Sequence, residues 1–213
     1  MYNIERQQMI DCARAMQQHG LIVMSGGNVS RRMPCGNILV TPSAMSYDTM
    51  CPEDLVLMDP EGRILEGTRR PSSDHRALLY IFRHMPHINV ILHTHQPYAV
   101  SLSLVADELP ACTTTLIDEL QGAVPVAPFT PSSEEGMGVA AVSAATGSLA
   151  VILKHHGVMA WGKDISQALS AAVYLEDACK GYLAALATGL PVARLSEEQI
   201  AEESRERGYY GQP

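Results

Sequence analysis

Short apolar runs alternate with longer stretches in which apolar residues recur at helical spacing, and this pattern predicts the secondary structure of the 213-residue chain. Short runs bounded by turn residues are typical of buried strands, whereas helical spacing indicates amphipathic helices. The predicted strands cover 37–40, 54–58, 88–95, 123–127 and 149–153. The predicted helices cover 4–19, 98–105, 134–146, 165–187 and 196–206, and one more begins at Ser72 or Ser73.

Helices and strands alternate over most of the chain, but the strands 37–40 and 54–58 follow one another without a helix between them. Consecutive strands of this kind are not expected in a regular doubly wound fold. The pattern therefore predicts an α/β protein with a three-layer α/β/α fold around a mixed sheet. Because the chain has no internal repeat and no low-complexity linker, residues 1–213 are predicted to form a single domain.

Composition narrows the possible classes of function. Apolar residues make up 46% of the chain, yet no apolar run approaches the ~20 residues of a membrane helix, and the first residues lack a signal-peptide pattern. The net charge of −8 argues against nucleic-acid binding, which needs a basic surface. The five cysteines are scattered without a C-x-x-C pair, so we expect reduced thiols and a cytoplasmic location.

Two histidines, His93 and His95, directly follow the apolar run 88–92. Side chains alternate along a strand, so histidines two positions apart point to the same side and can reach one metal ion. Such a pair by itself is a weak signal, because polar residues are common at strand ends. A second strand-like run, 149–153, is also followed by histidines, which makes a three-histidine metal site a specific hypothesis.

The third ligand is predicted to be His156 rather than His155, because Gly157 after it permits a tight turn near the metal. An acidic residue, Asp74, precedes the first histidine strand and could work beside the metal. Three neutral imidazoles and an open coordination position suit Zn²⁺, with Mn²⁺ or Co²⁺ as alternatives.

Three short segments could bind an anion, although each also has an ordinary structural interpretation. Ser72 and Ser73 could simply cap a helix, or their hydroxyls and the free N–H groups there could hold a phosphate. The segment 25–30 could be a glycine turn, or a cradle of backbone amides closed by the Asn28 side chain. Ser43, which follows a Thr-Pro pair, could add another hydroxyl.

The order of these segments along the chain resembles that of the class II aldolase/adducin family. The resemblance covers nearly the whole chain and rests on Ser25-Gly26-Gly27-Asn28-Val29-Ser30, Thr41-Pro42-Ser43, Pro71-Ser72-Ser73-Asp74, His93-Thr94-His95 and His156-Gly157. It implies a mainly antiparallel central sheet and a zinc ion held by His93, His95 and His156. It also implies a homotetramer with intersubunit active sites and a sugar-phosphate substrate, whose phosphate would lie against Asn28, Ser43, Ser72 and Ser73.

Two positions depart from the family pattern. The aldolase branch has Glu after the two serines, whereas this chain has Asp74, as the epimerase does. The Thr-Pro-Ser segment is usually followed by Gly, and here the residue is Ala44. If the family's glycine provides a positive φ or room for the phosphate, Ala44 alters that contact.

The resemblance implies retro-aldol chemistry, which serves two reactions. An aldolase cleaves a ketose 1-phosphate to dihydroxyacetone phosphate and an aldehyde through a metal-stabilised enediolate, with Asp74 moving the proton at the carbanion carbon. Ribulose-5-phosphate 4-epimerase would instead turn the aldehyde over and rejoin the two fragments.

Two further residues match catalytic positions of the epimerase. Tyr210 lies in the tail 207–213, which the resemblance places over a neighbouring subunit's site, although a chain end is ordinarily frayed. Asp118 matches a catalytic aspartate, although an exposed acidic helix start is an equally simple interpretation.

Other features favour the aldolase. An insertion that the epimerase carries before its second histidine strand is missing here, and the chain length matches the aldolase branch. Thr114 replaces a tyrosine of fuculose-phosphate aldolase, which argues against that strict specificity. The sequence therefore favours a zinc aldolase acting on a ketose 1-phosphate, with the epimerase as the alternative and a non-catalytic, adducin-like module as a third hypothesis.

Overall fold

The structure is a computed structural model that describes residues 2–206. Within this part of the chain, the helices are α1 (Asn3–Gln18), α2 (His75–His84), α3 (Pro97–Ser103), α4 (Thr114–Leu120), α5 (Glu135–Ala144), α6 (Ile165–Leu186) and α7 (Glu197–Glu206). The strands are β1 (Asn28–Arg32), β2 (Ile38–Val40), β3 (Val56–Met58), β4 (Ile64–Glu66), β5 (Val90–Thr94), β6 (Glu108–Leu109), β7 (Val124–Ala127), β8 (Ala150–Leu153) and β9 (Gly157–Gly162). None of the described helices combines the length and apolar character that crossing a membrane requires.

The strands form one sheet in the order β4-β3-β2-β1-β5-β9-β8-β7-β6. Neighbouring strands are antiparallel except for β7 and β8, which are parallel. The prediction of a mixed, mainly antiparallel sheet is therefore confirmed. At its centre, β5 pairs with β9, so that His93 lies opposite Met159 and Thr94 opposite Val158.

Helices cover both faces of the sheet. Helices α1, α3, α4 and α6 pack on one face, through a core that includes Ile10 and Leu175. Helices α2 and α5 pack on the other face, through a core that includes Phe82. Successive residues of β5 enter different cores, Ile91 with α2 and Leu92 with α6, as the two-residue period of a strand requires. The predicted three-layer α/β/α fold is confirmed.

Several strands are not predicted by the apolar pattern, and β1 is the most instructive of them. Its sequence is Asn-Val-Ser-Arg-Arg, so it has no apolar run, and its first residue falls in a predicted loop. The strand is nevertheless internal, because it pairs with β2 on one side and β5 on the other. The Ser30 side chain is buried there, and its hydroxyl donates to the Ile91 carbonyl.

Helix α2 begins at His75, with Asp74 in the N-cap position. The prediction that Ser72 or Ser73 occupies this position is wrong. The Ser72 carbonyl accepts the His75 N–H, and the Ser72 hydroxyl accepts the Asp74 N–H. The two serines therefore belong to a separate turn that precedes the helix.

Candidate active site

The three predicted ligand histidines lie together at one end of the central strands. His93 is on β5, His95 follows that strand, and His156 is in the turn between β8 and β9. Because β5 and β9 are antiparallel neighbours, the end of one lies beside the beginning of the other. One ring nitrogen from each histidine can be chosen so that all three lie within 4.8 Å of one another. His93 Nε2 and His95 Nε2 are 3.1 Å apart.

The turn that presents His156 differs from the one predicted. The positive φ of 61° belongs to His155, whose exposed ring lies beside Phe129 rather than in the cluster. Gly157 is needed for a different reason, since a Cβ at this position would overlap the Thr94 carbonyl oxygen and crowd the His95 ring. Glycine therefore allows the close approach of β9 to β5 on which the cluster depends.

The surroundings keep the histidines in the form that binds metal. Burial, together with repulsion from the neighbouring rings of His95 and His156, lowers the pKa of His93 to about 3. Burial likewise lowers the pKa of His95 and that of His156, although the Asp74 carboxylate opposes both shifts. The Val158 carbonyl, 3.0 Å from His93 Nδ1, accepts the proton of that nitrogen and leaves Nε2 as a free base.

The distance between two of the ring nitrogens is close to that between two ligands of a tetrahedral ion. Two nitrogens bonded to one zinc at about 2.0–2.1 Å are roughly 3.3 Å apart, close to the 3.1 Å between His93 and His95. Two unprotonated nitrogens at this distance repel unless a cation or a shared proton lies between them. The donor set of neutral imidazoles is one that divalent transition metals prefer.

Asp74 lies beside this cluster. Its side chain is nearly buried, and its Oδ2 atom is 3.8 Å from His93 Nε2. The same oxygen accepts a 2.8 Å hydrogen bond from Asn28 Nδ2, which also donates to the Ser72 hydroxyl at 3.0 Å. The structure therefore brings together the predicted acid, two predicted phosphate ligands and the metal cluster.

A cleft of about 310 Å³ opens beside the cluster and is lined by His95, His156 and residues 25–27, 42–44, 72–74 and 132–133. Most of these residues are glycines or serines. No lysine or arginine is among the described residues that line the cleft. An anion in this cleft would therefore be held by hydroxyls, backbone N–H groups and a bound cation.

Backbone hydrogen bonds fix the walls of the cleft to one another. The Ser72 N–H donates to the Thr41 carbonyl, and the Ser43 N–H donates to the Arg70 carbonyl. The buried Tyr47 hydroxyl donates to the Gly27 carbonyl at 2.8 Å. These contacts hold the three predicted anion-binding segments in one frame.

Ala44 adopts the backbone conformation that the family's glycine would favour. Its φ is +55°, in the left-handed region, and the residue lines the cleft. The departure from the family pattern therefore leaves the course of the backbone intact and adds a strained alanine.

The structure separates Asp118 from the cluster within one chain. Asp118 is on α4, and it does not line the cleft. Desolvation, and then charge repulsion from Asp118, raise the pKa of Glu203 on α7. Tyr210 and the tail 207–213 lie outside the described residues. Sequence reasoning missed Ser132 and Ser133, which also line the cleft, from the loop after β7. No pattern in the sequence marks these serines.

The fold and the site together define the class of protein. It is a three-layer α/β protein with a three-histidine cluster that could hold a divalent metal beside a polar cleft. The profile of the family described as "Class II Aldolase and Adducin N-terminal domain" matches residues 7–183. The chain belongs to this family, as its motifs predict. The family includes aldolases and epimerases.

Individual relatives fall on both sides of the aldolase–epimerase division. The chain is 29% identical to L-ribulose-5-phosphate 4-epimerase UlaF of Salmonella paratyphi C, over 97% of this chain and 98% of the relative. It is 30% identical to 5-deoxy-D-ribulose 1-phosphate aldolase of Bacillus thuringiensis serovar kurstaki, over 98% and 97%. Among solved structures it resembles an L-fuculose 1-phosphate aldolase, with a TM-score of 0.89, 27% identity and 94% coverage of both chains.

Proposed function

We propose that this protein is a zinc-dependent class II aldolase, which reversibly cleaves a ketose 1-phosphate to dihydroxyacetone phosphate and an aldehyde. The observation that carries the proposal is the position of Asp74 and a serine-lined cleft directly beside the three-histidine cluster. Relatives named as aldolases of sugar 1-phosphates, similar over nearly the whole chain, support it.

His93, His95 and His156 would hold the metal. Their neutral imidazoles and the open cleft favour Zn²⁺ with a free coordination position, and Mn²⁺ or Co²⁺ would fit the same donors. When bound, the ion supplies the Lewis acidity that carbon–carbon bond cleavage next to a carbonyl requires.

The substrate phosphate would lie against the Asn28 side-chain amide and the hydroxyls of Ser43, Ser72 and Ser73. These hydroxyls line the cleft together with backbone from the segment 25–27, and all can donate hydrogen bonds. Since no lysine or arginine lines the described part of the cleft, phosphate recognition would depend on many neutral donors. This predicts modest affinity for inorganic phosphate alone.

Asp74 would transfer the proton at the carbon that becomes the carbanion. Its carboxylate lines the cleft and reaches the edge of the histidine cluster, so it would lie beside the carbon next to the carbonyl of a bound substrate. A positioned carboxylate of this kind contributes about 10²–10⁴-fold to such a step.

The site would be completed by a neighbouring subunit in a homotetramer. Large apolar side chains are exposed near the histidine end of the sheet, including Val23, Met24, Leu104 and Phe129. Such side chains are typical of subunit interfaces. We propose that Asp118 and the tail with Tyr210 act in a partner's site, where the tyrosine would exchange a proton with the aldehyde oxygen.

The alternative function is the 4-epimerisation of ribulose 5-phosphate. It is favoured by Asp74, by Asp118 and by the 29% identity to an epimerase over 97% of the chain. A non-catalytic role has less support, because all three histidines are present and brought together.

One experiment separates these functions. Zinc-loaded protein is incubated with several ketose 1-phosphates and, separately, with ribulose 5-phosphate, and the products are identified by NMR. Dihydroxyacetone phosphate from a ketose 1-phosphate supports the aldolase. Xylulose 5-phosphate without fragments would establish the epimerase instead, and zinc binding without any product would favour a non-catalytic module.

A further inference from the structure

Helix α3 connects two of the segments that carry ligand histidines. It begins at Pro97, directly after His95 and Gln96, and it ends at the buried residue Ser103. The Ser103 hydroxyl accepts the His155 N–H at 3.2 Å, in the turn that presents the next residue, His156. A shift of this short helix would therefore move both histidine segments.

The rings of His95 and His156 depend on their backbone for orientation. The ring of His93 is held by its own hydrogen bond, from Nδ1 to the Val158 carbonyl. In the described part of the chain, neither of the other two rings donates to a backbone carbonyl. Metal-binding imidazoles are usually oriented by such a second hydrogen bond, so the backbone that carries these two histidines has to provide the orientation instead.

Helix α6 holds the start of α3 in place. Both carboxylate oxygens of Glu176 accept backbone N–H groups there, that of Tyr98 at 2.8 Å and that of Ala99 at 3.0 Å. The N-cap residue Gln96 gives α3 no side-chain cap, and its amide donates to the Ala172 carbonyl at 2.6 Å instead. The first turn of α3 is thus attached to α6 by two contacts that lie one helical turn apart on α6.

The Glu176 carboxylate is partly buried although it touches neither the cleft nor the histidine cluster. It does not line the cleft and is not one of the groups that could bind the ion. Burial raises the pKa of this carboxyl group, and the N–H groups of Tyr98 and Ala99 oppose the shift. The loss of hydration is therefore offset by the backbone that the carboxylate holds.

We propose that Glu176 is a positioning residue for the metal site and acts through α3 on His95 and His156. Its carboxylate fixes the start of the helix beside His95, and the helix fixes the turn of His156 through Ser103. The proposal rests on the metal site of the proposed function, and it gives Glu176 no contact with metal or substrate.

Metal binding in the absence of substrate tests this role. In Glu176→Ala, we expect the dissociation constant of Zn²⁺, measured by competition with a chelator, to rise about tenfold, as when a supporting contact behind a ligand is lost. The visible absorption spectrum of the Co²⁺-loaded protein reports the coordination geometry and should change as well. Glu176→Gln keeps one acceptor oxygen and a similar volume, so both measurements should lie between those of Glu176→Ala and wild type.

Asp164→Ala is the matched control. The Asp164 carboxylate also accepts a backbone N–H at the start of a helix, that of Gln167 in the first turn of α6. It lies beyond the end of β9 that is opposite the histidines. This variant should lose stability to urea as Glu176→Ala does, whereas its Zn²⁺ dissociation constant and Co²⁺ spectrum should match those of wild type.

The results separate this role of Glu176 from the function on which it rests. Wild type that binds neither Zn²⁺ nor Co²⁺ would remove the metal site and with it the proposed function. If wild type binds both ions and the Glu176 variants bind them with unchanged affinity and spectrum, Glu176 does not position the site. Equal weakening in Asp164→Ala would make the effect one of general stability and would also overturn the proposal. If Glu176→Ala does not fold, Glu176→Gln decides by the same two measurements.

Discussion

At the scale of single residues, metal binding depends most on the protonation state of the three histidines. A buried imidazole that stays neutral has a lone pair available for a metal, and the Val158 carbonyl selects the nitrogen that carries it. His155, which precedes His156 in the sequence, is exposed, and its ring faces Phe129 instead of the cluster. The adjacent residues His155 and His156 therefore have different expected roles.

This difference gives a direct test by metal content. His156→Ala removes one of three proposed ligands, and zinc retained after dialysis should fall from about one equivalent to a small fraction. His155→Asn is the control, because asparagine tolerates the left-handed backbone of this position. Zinc is measured by mass spectrometry, and equal zinc in the two variants would remove His156 from the ligand set.

Ala44 supplies a second prediction at this scale. Its positive φ is strained for any residue with a Cβ, so Ala44→Gly should stabilise the protein by about 0.5–1 kcal/mol, after allowance for the greater freedom of glycine in the unfolded chain. Ala201→Gly, in the exposed part of α7, should destabilise it by up to about 1 kcal/mol. Urea denaturation of both variants shows whether their changes in unfolding free energy have opposite signs. A destabilising Ala44→Gly would contradict the strain at this position.

At the scale of secondary-structure elements, the site depends on the approach of β9 to β5. Gly157→Ala should separate these strands where the ligands sit, because the new Cβ would meet the Thr94 carbonyl oxygen. We expect a loss of about 1–3 kcal/mol of stability together with weaker zinc binding. Gly136→Ala on α5, where the added Cβ meets nothing, should stabilise by about 0.5–1 kcal/mol.

Unfolding free energies and zinc titrations of the two alanine variants measure these effects. If Gly157→Ala bound zinc as tightly as wild type, the spacing of β5 and β9 would not control the cluster.

Elements with a regular apolar pattern could be predicted from the sequence, and those fixed by their neighbours could not. The run 88–92 and the histidines after it predict β5 and two of the three histidines of the cluster. Strand β1 carries no such pattern, because it is internal through pairing rather than through apolar side chains. Ser132 and Ser133 line the cleft from the loop after β7, and a local sequence pattern does not encode that contact.

At the scale of the whole molecule, the cluster makes stability depend on pH. The pKa of His93 is lowered from 6.5 to about 3 by burial, so between these values the unfolded chain binds more protons than the folded one. Stability of the metal-free protein should therefore fall as the pH decreases through this window, and the lowered pKa values of His95 and His156 act in the same direction.

The urea midpoint of metal-free protein, measured at pH 7.5 and at pH 5.5, checks this prediction. We expect the lower midpoint at the lower pH, and a smaller difference in His93→Asn, which lacks the buried imidazole. Equal wild-type midpoints at the two pH values would contradict the expected linkage.

The pairing of β5 with β9 has a further consequence at this scale. His93 and Val158, which touch at the cluster, are 65 positions apart in the sequence. An ion shared by His93 and His156 would close a long chain loop, as a removable cross-link does, and would favour the folded state in proportion to metal supply. Cells short of the metal would then lose the protein to proteolysis faster, so its abundance would report how much metal is available.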